Sequence, residues 1–126
     1  MAHPALVSID VLQGERIVHL LEESGIKLSL ALWLLVEEYS DWRFALASKD
    51  LDRLSPFDQI KRVQDILRKS LDVEHIPTLW IMNTQEPFPR ALHKLFGKTK
   101  SVEGMRLGGQ FIGNRFIEDA YTYRVR

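Results

Sequence analysis

The sequence predicts an α+β fold: a two-layer domain of element order α-β-β-α-β-α-β-β, with a mixed five-strand sheet and helices largely on one face. Three observations lead there. Two stretches, 30–47 and 105–125, carry the Leu, Val, Trp, Phe and Tyr content and the turn residues of hairpins. Three others space apolar residues at helical intervals between capping residues. The apolar run "IPTLWIMN" between the second and third of these supplies a fifth strand.

The first helix is expected over about Val11 to Ser24, with Asp10 as N-cap, Gly25 in the left-handed position past its end and Ile26 packing back. Val11, Ile17, Val18, Leu20 and Leu21 form its apolar stripe. In "KLSLALWLLVEEYSDWRFALASKD" a four-residue loop from Glu38 to Asp41 would pair Leu35 with Phe44 and Trp33 with Leu46. The opposite face then holds Leu32, Leu34, Val36, Ala45 and Ala47, so this hairpin is apolar on both sides. Ser55, Pro56 and Asp58 occupy N-cap, N1 and N3 of the second helix, whose stripe reads Phe57, Ile60, Val63, Ile66, Leu67, Leu71. Its wet side places Asp58/Arg62 and Asp65/Lys69 four residues apart. "IPTLWIMN" shows no alternation and is expected to be a central strand. The third helix runs from about Pro87 to Phe96, turning Phe88, Leu92, Leu95 and Phe96 inward, with Gly97 stopping it. The last hairpin turns at Gly113-Asn114 and pairs Phe111 with Phe116 and Leu107 with Ala120 on its core face.

At 126 residues the chain fits a single domain, 1–126, able to bury about two-thirds of its unfolded surface without staples. Its 17 basic and 17 acidic residues balance to zero, so the field of a nucleic-acid or membrane-surface binder is missing and nucleic acid is disfavoured. The chain contains no cysteine, which excludes disulfides, thiol nucleophiles and Cys-based zinc sites and fits a cytoplasmic protein. The longest apolar run, Leu30 to Val36, is far short of the ~20 residues that span a bilayer. No membrane partner is expected.

Chemistry-bearing motifs are sparse. His3, His19, His75 and His93 occur singly, without the HxH or HExxH spacing that sets two imidazoles on one metal, so no metal is expected. No GxxxxGK[ST], GxGxxG or GxSxG is present, and no cofactor is implied. "RLGGQFIGNR" is Gly-rich where a bulge and a turn are needed.

The candidate residues lie in "FIEDAYTYRVR", 116–126. One strand face presents Arg106, Asp119, Tyr121 and Tyr123, with Asp119 diagonal to Arg106 and Gly108 leaving room for the pair. Glu118 is anomalous, because strict alternation aims it into the Phe/Leu face. Either a bulge near the glycines rotates it outward or it is a partly buried carboxylate with a partner. Adjacent strand residues face opposite ways, so without a bulge Glu118 and Asp119 cannot act jointly as catalytic carboxylates.

The order of elements, the hairpin "ALWLLVEE…DWRFALAS" and the ending "FIEDAYTYR" resemble a group of small bacterial proteins, some similar to products of mobile integron gene cassettes. The resemblance runs from about Leu30 to the C-terminus. It implies fold and bacterial origin and brings no activity.

The functional expectation is a non-enzymatic binding or regulatory protein that takes a small-molecule or protein partner at Arg106, Glu118, Asp119, Tyr121 and Tyr123. A homodimer is expected, covering the second apolar face of the first hairpin and the tyrosine face of the last. The alternative is a small enzyme using Glu118 as an acid/base carboxylate in a pocket between sheet and helices.

Overall fold

The computed structural model describes residues 5, 6, 8–39, 41–99 and 101–126, so His3 and Ser40 lie outside the described residues. The elements are α1 (Ser8–Glu23), β1 (Leu30–Val36), β2 (Arg43–Ala47), a one-turn α2 (Lys49–Asp52), α3 (Pro56–Arg68), a 3-10 turn at Val73–His75, β3 (Leu79–Met82), α4 (Pro87–Phe96), β4 (Gln110–Ile112) and β5 (Arg115–Val125). The domain is α+β, and its mixed sheet has the order β3-β2-β1-β5-β4. β2 and β3 run parallel, and the other neighbours are antiparallel. β1 sits at the centre and is buried along its whole length.

Local signals explain most boundaries. α1 starts before Val11, so Asp10 lies within its first turn rather than capping it. Its C-terminus is a Schellman motif: Gly25 takes φ +92, Gly25 N–H donates to Glu22 O at 3.1 Å and Ile26 N–H to Leu21 O at 3.1 Å. Ser55 caps α3, its Oγ accepting from Asp58 N at 3.2 Å, and Pro56 fills the next position. Val63, Leu67 and Leu71 are buried, whereas Phe57, expected in that stripe, is 75% exposed. The side chains paired four apart are Lys61 and Asp65, at 2.9 Å. On α4 Phe88 and Leu92 turn inward as expected, but Leu95 is exposed.

Two packed layers of side chains flank the sheet. On one face α1 and α3 bury Ile17, Leu21, Val63 and Leu67 against Trp33, Phe44, Leu46 and Tyr123. On the other, Phe88 and Leu92 of α4, with Val102 and Leu107, cover Leu30, Leu32, Leu34, Val36, Ala45 and Ala47. The second face of the first hairpin, which the sequence leaves for a partner subunit, is therefore closed within the chain.

Two expectations about strands are corrected. The first hairpin pairs Trp33 with Phe44 and Ala31 with Leu46. That register is shifted by two residues, with Leu34–Arg43 as the last pair, so the connection is centred one residue earlier than expected, and an even shift leaves every side chain on its expected face. β3 is an edge strand, not a central one. Its continuous apolar run reflects α3 against one side and Tyr39 edge-on to Trp80 on the other, with centroids 5.4 Å apart.

Candidate functional site

The residues singled out in "FIEDAYTYRVR" are explained by a bulge. β5 pairs Asp119 with Leu35 but Ile117 with Val36, which leaves Glu118 as the extra residue. Before the bulge Ile117 faces α4 beside Ile112. After it Ala120 takes that side. The flip sends Phe111 and Phe116 to the opposite side, where Phe111 is 74% exposed rather than in the core. Glu118 itself is half-buried, with one carboxylate oxygen out of contact with solvent. Gly108 is needed alongside, since a Cβ there would lie 2.9 Å from Glu118 O.

Arg106 and Asp119 form the expected ion pair, bidentate through Nη2 to Oδ2 and Nε to Oδ1 at 3.3 Å. Both groups reach solvent, so the pair contributes at most about 1 kcal/mol. Tyr121 and Tyr123 share a face, as alternation requires, with ring centroids 5.3 Å apart. That face is the one covered by α1. Tyr123 is 2% exposed and its hydroxyl donates to Val11 O at 2.6 Å, beside Trp33 Nε1, which donates to Asp10 O at 3.0 Å. A Cβ on Gly14 would fall 2.3 Å from Tyr123 Oη, so this glycine lets α1 approach the sheet. The ring of Tyr123 is thus packed into the core of its own chain. Arg124 and Arg126 both pair with Glu22 of α1, Arg124 at 3.1 Å.

Burial pushes the Tyr123 phenol well above the ordinary tyrosine value of 10.0. A folded-state value raised above the unfolded one favours the folded state below pH 10, and that advantage is lost as pH climbs further, by up to about 1.4 kcal/mol per pH unit. Tyr123→Phe is expected to be about 1 kcal/mol less stable at neutral pH through the lost hydrogen bond, yet to lose stability less steeply above pH 10. Urea denaturation of both proteins from pH 8 to 11.5 checks this, and parallel curves would remove Tyr123 from the alkaline response.

Tyr123 lines two smaller hollows, and a larger cleft lies elsewhere, at the carboxyl ends of the parallel strands β2 and β3. This cleft of about 730 Å³ opens between α2, the loop 83–86, α4 and the start of β1. Its frame is hydrogen-bonded throughout. Ser48, leaving β2, caps α2 by accepting from Asp50 N at 3.1 Å and donates to Lys27 O at 2.6 Å. Asp50 Oδ2 accepts from Lys27 N at 2.9 Å, and Asp52 of α2 accepts from Thr84 N at 3.0 Å, tying α2 to the loop after β3. Arg126 Nε donates to Leu28 O at 3.0 Å and closes the far side. Leu28, Leu30 and Pro89 give the cleft an apolar floor, while Lys27, Lys49, Arg90, His93, Lys94 and Arg126 crowd its rim against one acid, Asp50. None of Arg106, Glu118, Asp119, Tyr121 or Tyr123 lines it.

Two further groupings escaped the sequence reading. On the α4 face the Arg43 guanidinium stacks on Tyr39 at 3.6 Å and that of Arg115 on Trp80 at 4.5 Å, with Arg115 also 3.7 Å from Glu38. Asp72, Glu74 and His75 bring potential ligand atoms within 4.8 Å of one another on an exposed turn. All three are exposed, and among the described residues no second element converges on them, so the trio is left without a metal assignment. No helix of the described residues is long and apolar enough to cross a membrane. In comparisons with known proteins, no family model, curated protein or solved structure matches the chain.

Proposed function

We propose that the chain is a small non-enzymatic binding or regulatory protein whose ligand site is the cleft at the carboxyl ends of β2 and β3. One observation carries this reading: a hollow of about 730 Å³ with an apolar floor and converging polar groups, placed where open sheets with parallel strands receive ligands. The enzymatic alternative needs Glu118 in a pocket, and Glu118 does not line the cleft. The likeness of the two hairpins to integron-cassette products supports a bacterial, mobile-element origin, and the lack of cysteine fits the cytoplasm.

A ligand screen by thermal shift tests the proposal. A compound at 100 times its dissociation constant should stabilise the protein by about 2.7 kcal/mol, equally in wild type and Glu118→Gln. Discovery of a turnover reaction that Glu118→Gln abolishes in a folded protein would overturn the non-enzymatic reading.

For self-association the surface favoured here is the β4 edge, where exposed Phe111 packs edge-on against Phe116 with centroids 5.1 Å apart. A homodimer through that edge should weaken in Phe111→Asp, as read by sedimentation equilibrium. A wild-type mass of 14.6 kDa at all micromolar concentrations would rule the dimer out.

A further inference from the structure

We infer that the ligand of the cleft is a small polyanion of the organic phosphate class, held by Lys27, Lys49, Arg90 and Lys94. The inference rests on the reading of the cleft as a ligand site and adds the chemistry of its occupant. The chain as a whole is balanced, 17 basic against 17 acidic residues, so the rim of the cleft concentrates positive charge that the sequence total conceals. Asp50, the one acid there, already accepts from Lys27 N. Arg126 shares the Glu22 carboxylate with Arg124. The other four cations enter no salt bridge among the described residues.

A purely structural role accounts for only part of this set. His93 and Lys94 lie in the last turn of α4, where the helix dipole favours cations. Arg90 lies in its first turn, where the dipole opposes a cation, and the carboxylate of the N-cap residue Glu86, four residues before it, is turned back to accept from Asn83 N. Arg90 and Lys94 are also four residues apart, so they repel each other on one helix face. An anion in the cleft removes both penalties.

Charge count and shape select the class. Four unpaired cations exceed what a monocarboxylate neutralises, whereas a phosphomonoester brings about 1.5 to 2 negative charges and three acceptor oxygens. Single-stranded nucleic acid, the other phosphate source, is bound on aromatic stacking platforms. The lining contains no Trp, Tyr or Phe, and its floor is aliphatic.

The test uses sodium pyrophosphate as probe, with binding followed by calorimetry and by the NMR shifts of Gln85 and His93 amides. Wild type should bind with an affinity that falls as salt rises. The exposed sites permit Arg90→Glu and Lys49→Glu, each expected to weaken binding about tenfold or more, while Lys61→Glu on α3 leaves it unchanged. Equal affinity in wild type and Arg90→Glu would overturn the proposal. Neutral compounds that move the cleft amides, with pyrophosphate silent, would overturn the polyanion and keep the cleft as a site. Silence of the cleft toward every compound in the screen would overturn both. An oligothymidylate that binds where pyrophosphate does not would replace the small ligand with nucleic acid.

Discussion

Phe44→Ala is expected to lower unfolding stability by about 3–5 kcal/mol, the range for emptying an aromatic site in a core that relaxes only in part. Phe44 has no solvent exposure and sits at the crossing of three elements. Its ring meets Trp33 edge-on at 5.0 Å and Tyr123 at 5.8 Å, and its backbone N–H donates to Thr78 O at 2.9 Å where β2 joins β3. Neither aromatic neighbour can swing into the vacated space, because Trp33 and Tyr123 are each held by a hydrogen bond to α1. Since domains of this size are stable by about 5–15 kcal/mol in total, the variant should be close to its folding limit. Urea titration with an unchanged slope measures the loss. A loss under about 1.5 kcal/mol would mean that the aromatic layer collapses after all.

Ser48→Ala should cost about 2–4 kcal/mol although it removes a single oxygen. That oxygen caps α2 and also supplies the donor to Lys27 O, in a side chain without solvent exposure. Loss of the cap contributes about 1 kcal/mol, and a carbonyl left without its donor a further 1–3 kcal/mol, roughly. Ser48→Thr retains the hydroxyl and should restore most of the stability. Ser48→Gly, tolerated at an N-cap, isolates the carbonyl. If denaturation shows all three variants within 0.5 kcal/mol of wild type, roughly the range of inert surface changes, Ser48 does not hold the cleft wall.

Where one residue type acts alone, the sequence was readable. Gly25, Ser55-Pro56 and Gly113 each mark their boundary because only the local backbone is at stake. Gly113 takes φ +62 while Asn114 does not adopt a positive value, as a type II′ turn requires. Face assignment in the first hairpin survived a wrong register because alternation depends on parity alone. Glu118 marked the bulge as a conflict between alternation and charge, but its position depended on pairing with β1, far away in sequence. The cleft left no local mark. Its rim draws on Lys27, Lys49, Arg90 and Arg126, which are adjacent only because β1, β2, β3 and α4 converge at one end of the sheet. A balanced net charge then hid the cluster.

The central position of β1 also sets the order in which the core can assemble. β1 and β2 can meet early, since they are near neighbours in the chain. β5 must come from much further: Tyr123 reaches Val11 across 112 residues and Arg124 reaches Glu22 across 102. The logarithmic term for closing such a loop is about 4 kcal/mol, incurred before the pairing contributes anything. Folding should therefore run at the slower pace of non-local topologies. Until β5 docks, one edge of β1 stays open, with a seven-residue apolar strand, LALWLLV, beside it. An unpaired apolar edge of that kind invites the same edge of another chain. The hazard belongs to the interval before docking, and the strand that ends it is the one bearing Glu118, Asp119 and the tyrosines.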